Sequence, residues 1–322
     1  MIWGDPYVNA TASFLPPRTD IATVTDNGSR RFNSALGYRS ATIAEPGTGP
    51  GMAAKAALLA LKDSGFRGDA LSLLTLAAAL PGNTSVLSHA CQVQRALALD
   101  HARAPDLNAA SAGDVAGLVA GAEHLRANPD AIATLAAATS CLTEIDRLNS
   151  PDHVMSDGAA ALVLSRRPGR VRLVATSHAA APQLEVLTHV NLTPVQRLTA
   201  LKRLKKPQLA TMQEKTCEAV GLVLDEAATS IDKITRIVVP GAGIPFLSAV
   251  IAQPLGIELA KTTWPFARHV GHAGPCDHFL GLDHLLRHDS ALKTGDRILV
   301  IGLGAGWRWI CVLVELVDQG PS

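Results

Sequence analysis

Asp106-Leu107-Asn108-Ala109-Ala110-Ser111-Ala112-Gly113 is followed by an Ala-, Val- and Leu-rich run that continues to His124. Small residues crowd around one nucleophile-capable side chain, and the apolar run behind it has the length of a buried helix. Ser111 therefore reads as standing at a helix N-terminus, where free backbone N–H groups favour negative charge. Serine is also a common helix N-cap, so residue type alone leaves both readings open. A hydroxyl barely ionises near neutral pH and needs a base to become a nucleophile. The far end of the chain offers one, in Gly271-His272-Ala273-Gly274-Pro275-Cys276-Asp277.

Outward from this turn, apolar runs alternate with helical patterns. A helix is expected from Met52 to Asp63, closed by Ser64-Gly65. Leu71–Ala79 suits a buried strand, Val86–Leu99 a helix, and Ala131–Ala138 another strand. The Ser156-Asp157-Gly158 loop leads into a strand through Leu164, and Val171–Ala175 begins a second half. There Thr193–Val223 reads as helical, Ile234–Val239 as a strand and Phe246–Gln253 as a helix. The chain closes with a strand, a Gly302-Leu303-Gly304-Ala305-Gly306 turn and a strand from Trp309 to Val317. Residues 1–50 are punctuated by Pro16-Pro17, Asp26-Asn27-Gly28 and Pro46-Gly47 and read as irregular. Strands alternating with helices argue for an α/β fold. A strand, a small-residue turn and a helix recur at Leu107–His124 and Ile237–Gln253, which hints at an internal duplication.

The 322 residues suffice for two domains or one large α/β unit. Hydrophobic residues make up 48% and charged residues 18%, the balance of a buried globular chain. Aromatics are only 4%, so Ala, Val, Leu and Ile must build the core. A formal net charge of +1 gives no argument for nucleic acid or an acidic membrane. The five cysteines, 91, 141, 217, 276 and 311, form no CxxC pair, so neither a disulfide framework nor a zinc site is expected. His284 and His288 lack the Glu of an HExxH pattern, and no metal is expected there either. No secretory signal and no spanning helix are visible, and a cytoplasmic setting is expected.

Four segments in order resemble the ketoacyl-acyl-carrier-protein synthase III family of the thiolase superfamily. Asn108-Ala109-Ala110-Ser111-Ala112-Gly113 resembles its nucleophile elbow, and Ser156–Leu164 its GDGAGAVVL strand motif. Val239-Pro240-Gly241 resembles the segment that carries a His after Pro, and Gly302–Trp309 its C-terminal Gly-rich turn. The resemblance implies a five-layer αβαβα fold of two similar halves, 1–168 carrying the nucleophile and 169–322 carrying His, Asp and the Gly-rich turn. It also implies a homodimer.

Departures from the family pattern are as informative. The family's Cys–His–Asn set is represented by Ser111, Gly241 and His272. Gly241 has no side chain to donate from, so the decarboxylative condensation apparatus is dismantled. What remains reads as Ser111–His272–Asp277, with His272 as base and Asp277 orienting the imidazole. Asp277 also reads as a cap for a helix from Phe279 to Leu286. By carry-over, the N–H groups of Ser111 and Gly306 form the oxyanion hole. Cys276 matches no nucleophile motif and reads as a small buried residue.

The pattern resembles a divergent acyltransferase branch of the family. The expected reaction takes an acyl group from acyl-CoA or an acyl-carrier protein onto Ser111 and passes it to a small-molecule or carrier-bound acceptor, in a polyketide-type pathway. Alternatives are a starter-unit ketosynthase, a non-catalytic partner subunit, or hydrolysis of the acyl ester. No cofactor is expected beyond the CoA or phosphopantetheine that brings the acyl group. Lys202, Arg203, Lys205 and Lys206 read as a solvated helix face or as contacts for CoA phosphates or an acidic carrier.

Overall fold

The computed structural model describes residues 1–24, 35–80, 88–142, 147, 153–188 and 206–318. The Asp26-Asn27-Gly28 turn, the start of the Val86–Leu99 segment, and Thr193–Lys205 with Lys202, Arg203 and Lys205 lie outside the described residues.

Alternating burial explains the strands. In β7 (Gly158–Ser165), Ala159, Ala161 and Val163 face one core while Ala160, Leu162 and Leu164 face another. Such a strand, buried on both faces, reads as an unbroken apolar run. The same holds for β6 (Ala133–Ser140), β10 (Arg297–Gly304) and β11 (Arg308–Leu316). The other strands are β1 (Tyr7–Phe14), β2 (Arg18–Asp20), β3 (Ser40–Thr42), β4 (Leu71–Ala79), β5 (Asp106–Leu107), β8 (Val171–Ala180) and β9 (Arg236–Val238). Nine of them form one sheet in the order β5-β4-β6-β7-β1-β8-β11-β10-β9, and β2 and β3 pair separately. The halves meet where β1 pairs with β8 at Tyr7↔Arg172 and Val8↔Val171, and residues 1–6 continue the contact along β8, with Trp3 N–H donating to Val174 and Leu173 N–H to Pro6.

Helices complete the layers. Helix α1 (Gly49–Ser64) covers the outer face of the first half, with α2 (His89–Ala96) beside it. Helix α4 (Lys206–Glu226) covers the outer face of the second half, against β8 and β11. Between the halves lie α3 (Gly113–Ala127) and α5 (Asp277–His288), each touching strands of both. The result is a thiolase-like α/β fold with the layers αβαβα. Residue 168 falls in the link between β7 and β8. Among the described residues β5 and β9 stand at the two edges of this sheet, each parallel to its neighbour, and each precedes a turn and a helical segment.

The first 50 residues are less irregular than the sequence suggests. Tyr7–Phe14 is an interior strand of the sheet. Its polar positions disguise it, because the Thr11 and Ser13 hydroxyls donate to the buried carboxylate of Asp283 on α5, both at 2.7 Å. The second-half helix is also longer than expected, running from Ile244 to Leu255 with π-type turns over Leu247–Ala252.

Packing presses the end of β10 onto the turn that carries Ser111. A Cβ at Gly304 would sit 2.3 Å from the Ala109 carbonyl oxygen and 3.2 Å from the Ala112 nitrogen. Both are backbone atoms that cannot swing aside. Gly304→Ala is expected to cost about 1–3 kcal/mol of stability, the usual penalty for overpacking, measured by urea denaturation.

Candidate active site

Three strand ends supply the site. The chain leaves β5 toward Ser111, β9 toward Gly241 and β10 toward Gly306. Ligand sites of α/β sheets gather at such carboxyl ends. Ser111 sits in a single 3-10 turn, Ala110–Ala112, that runs into α3. Ala110 before it has φ +48°, a left-handed conformation costing an L-residue about 1–2 kcal/mol. Strain of this kind clusters at functional sites.

His272 is held from behind. Its N–H donates to the Val154 carbonyl at 2.7 Å, and its own carbonyl accepts from Ser156 N–H at 2.9 Å. The ring is almost wholly buried. Its Nδ1 lies 2.5 Å from Asp277 Oδ2 and its Nε2 lies 3.0 Å from Ser111 Oγ. A carboxylate only accepts, so Nδ1–H donates to Asp277, and in the neutral ring Nε2 accepts from the Ser111 hydroxyl. The ring of His153, which sequence reading did not single out, meets His272 edge to face with centroids 4.8 Å apart.

Asp277 is buried, and its carboxylate is fully engaged. Oδ1 accepts from Ala273 N–H at 2.7 Å, and Oδ2 accepts from Gly241 N–H at 2.7 Å as well as from His272. Burial pushes its pKa up, but the charge and hydrogen bond of His272, the charge of His278 and the Gly241 N–H outweigh that and hold it below the usual carboxylate value. Gly241 is itself anchored, its carbonyl accepting from the buried Tyr38 hydroxyl. A Cβ at Gly241 would lie 2.7 Å from the Gly271 carbonyl and 3.1–3.2 Å from both Asp277 oxygens. The missing side chain at 241 and the placed carboxylate at 277 are therefore one steric arrangement.

Asp277 does not cap α5, correcting the expected helix start at Phe279. Its oxygens are committed to Ala273, Gly241 and His272, and it is already the first residue of the helix. The cap is Asp114 of α3, whose Oδ2 accepts from the N–H groups of both His278 and Phe279 at 3.0 Å. His278 is completely buried, with Nδ1 2.8 Å from Asp114 Oδ1. Burial opposes its charge, yet the Asp114 carboxylate, and Asp277 beyond it, raise its pKa above the ordinary value.

The other expected residues fall as follows. Gly306 has φ +85° in the turn between β10 and β11, two residues beyond the Gly304 contact with the Ser111 turn. Lys206 is exposed at the start of α4, in the outer layer of the second half. Cys276 is buried and donates to the Gly158 carbonyl at 3.4 Å. Burial, with Asp114, Asp277 and Asp157 nearby, pushes its thiol well above the usual range, which disfavours the thiolate. His284 stacks on Phe266 with centroids 4.1 Å apart, and no group of three or more metal-ligating side chains occurs among the described residues.

Two outcomes follow from this geometry. Gly241→Ala should lose about 1–3 kcal/mol in urea denaturation, because a methyl group there must displace the Gly271 carbonyl or Asp277. His278 has a folded-state pKa raised above its unfolded value of 6.5, so its contribution is full below that pH and fades as pH rises through the raised value. The stability gap between the wild type and His278→Gln, read from denaturation midpoints across neutral pH, should accordingly shrink toward the alkaline side.

The chain is similar to known proteins along nearly its whole length. A family model for the C-terminal part of 3-oxoacyl-[acyl-carrier-protein (ACP)] synthase III matches residues 224–316, which include His272, Asp277 and Gly306. The beta-ketoacyl-[acyl-carrier-protein] synthase III of Aquifex aeolicus (strain VF5) is 24% identical over 310 residues, 95% of this chain and 97% of the relative. The solved structure of the acyltransferase ChlB3 superposes with a TM-score of 0.90 at 27% identity, covering 98% of both chains. That of 3-oxoacyl-[acyl-carrier-protein] synthase III from Aquifex aeolicus VF5 gives 0.79 at 23% identity, over 96% of this chain and 99% of the other. The chain is thus similar to ketoacyl synthase III proteins over nearly its whole length and shares their thiolase-type fold.

Proposed function

We propose that the chain is an acyltransferase whose Ser111 takes an acyl group from acyl-CoA or an acyl-carrier protein and hands it to an acceptor in a polyketide-type pathway. The observation that carries this reading is the line from Ser111 Oγ through His272, at 3.0 Å, to Asp277, at 2.5 Å. The likeness to ChlB3, an acyltransferase, supports it.

In the first step the Ser111 proton passes to His272 Nε2 as Oγ bonds to the thioester carbonyl carbon. The C–S bond then breaks and the leaving thiolate takes the proton back from His272. Asp277 stabilises the transient imidazolium. The N–H groups of Ser111 and Gly306 face the developing oxyanion, and each such donor is worth about 3–4 kcal/mol in the transition state. The second step repeats this with an acceptor hydroxyl, amine or carrier thiol. No resident cofactor is needed, because the acyl group arrives on CoA or phosphopantetheine. Lys206, with Lys202, Arg203 and Lys205, meets the CoA phosphates or the acidic carrier. The same reading takes the chain as a cytoplasmic homodimer.

A second reading, carbon–carbon bond formation on a starter unit, is favoured by the synthase named in Aquifex aeolicus. Gly241 weighs against it, since the packing there excludes a side chain.

Incubation with a panel of acyl-CoA and acyl-carrier donors should add one acyl mass to the intact protein, and Ser111→Ala should abolish the adduct. No adduct from any donor, or an adduct that persists in Ser111→Ala, overturns the proposal. His272→Ala should slow acylation by about 10²–10⁴-fold in quenched-flow mass spectrometry. Carbon dioxide released from a malonyl carrier would favour condensation instead.

A further inference from the structure

A second carboxylate–imidazole pair lies directly behind the first, and the proposed chemistry leaves it unused. Asp114 follows Ser111 by three residues on α3, and His278 follows Asp277 by one on α5. Both side chains are 0% exposed. Asp114 accepts from Val115 N–H at 2.8 Å, from His278 N–H and Phe279 N–H at 3.0 Å, and from His278 Nδ1 at 2.8 Å. One carboxylate therefore closes the starts of two helices that belong to different halves of the chain. The turn that leads into one of these helices carries Ser111, and the other begins with Asp277.

Burial of a carboxylate–imidazole pair in this place needs a reason. Paired charges away from water are often no more stabilising than apolar residues of the same volume, so stability alone does not account for the pair. Position does. Ser111 and Asp277 reach His272 from separate elements, and a displacement of about 1 Å between such elements is enough to cost 10²-fold in rate.

We propose that Asp114 and His278 are positioning residues that lock the N-terminus of α5 to that of α3 and so set the Ser111–His272–Asp277 geometry. The lock is geometric first: four hydrogen bonds converge on Asp114 and three of them come from α5. It is also electrostatic. Carboxylate, imidazole, carboxylate and imidazole alternate from Asp114 through His278 and Asp277 to His272. Among the described residues, the titratable groups around the row include the buried thiol of Cys276, Asp157 close to that thiol, and the ring of His153 against His272. A protonated His278 supports the ionised form of Asp277, and Asp114 in turn supports the protonated His278.

The inference rests on the acyl-transfer reading only for what the triad does, not for how it is held, and its test needs no acyl donor. Nitrogen-edited proton spectra follow the His272 Nδ1 proton bonded to Asp277. That proton should exchange slowly with water in the wild type and in Val223→Ala, a core variant in the outer layer of the second half. In Asp114→Asn it should exchange about tenfold faster or more, since a loosened helix start opens the site locally without unfolding the chain. Val223→Ala, chosen for comparable loss of melting temperature, separates this from general destabilisation. Where Asp114→Asn does not accumulate folded, His278→Gln keeps both backbone caps, removes the ring, and should show the same direction of change. Wild-type exchange in the folded variants, or equally fast exchange in Val223→Ala, overturns the inference. A fluorophosphonate probe run on the same samples reads Ser111 separately. If wild-type Ser111 is inert while Nδ1 exchange still responds to Asp114→Asn, the acyl-transfer reading fails and the positioning role stands.

Discussion

Asp277 carries charge where water is absent, and an isolated carboxylate there would be protonated or expelled. It stays ionised because two backbone N–H groups and one imidazole converge on it, from Gly241, Ala273 and His272. Each partner comes from a different constraint. Gly241 follows edge strand β9 and is anchored by Tyr38, Ala273 lies in the loop before α5, and His272 is clamped between Val154 and Ser156. Moving any one of them leaves a buried acceptor short of a donor, so the carboxylate couples the geometry of three segments.

The fold makes that convergence possible by how thinly it is built. A chain with 4% aromatics builds its core mainly from Ala, Val and Leu, and small residues let backbones approach closely. The end of β10 rests on the Ser111 turn through Gly304, and α3 and α5 fit between the half-sheets. A bulkier interior would hold the same elements apart by distances that matter at the hydrogen-bond scale. The two central helices start side by side, and Asp114 joins their first turns, so the layer between the half-sheets also carries the candidate site. The likeness to ketoacyl synthase III proteins spans nearly the whole chain, and it is within that shared frame that Gly241 and Asp277 exclude one another's alternatives.

Much of this was legible in the chain. The runs Leu71–Ala79, Gly158–Ser165 and Arg297–Gly304 are continuous apolar strands because both of their faces are buried, and burial on both faces leaves a direct trace in sequence. Ser111, His272 and Asp277 were readable as residue types in a family-like order. Tyr7–Phe14 was not, because its polar side chains are satisfied by Asp283 more than 250 positions away. Nor was the capping role of Asp114, since a cap is normally sought next to the helix it serves. Here it comes from 164 residues upstream.

The amino-acid sequence by itself determined the α/β alternation, the Ala-rich core and the identity of the three side chains placed in one line. Hydrophobic periodicity and residue chemistry are local properties, so they survive without a fold. Only the tertiary structure decided that Ser111 lies 3.0 Å from His272, that Gly241 must lack a side chain for Asp277 to reach it, and that Asp114 and His278 stand behind them. Those are contacts between residues 36 to 164 positions apart, and their energies depend on distances that no spacing along the chain encodes.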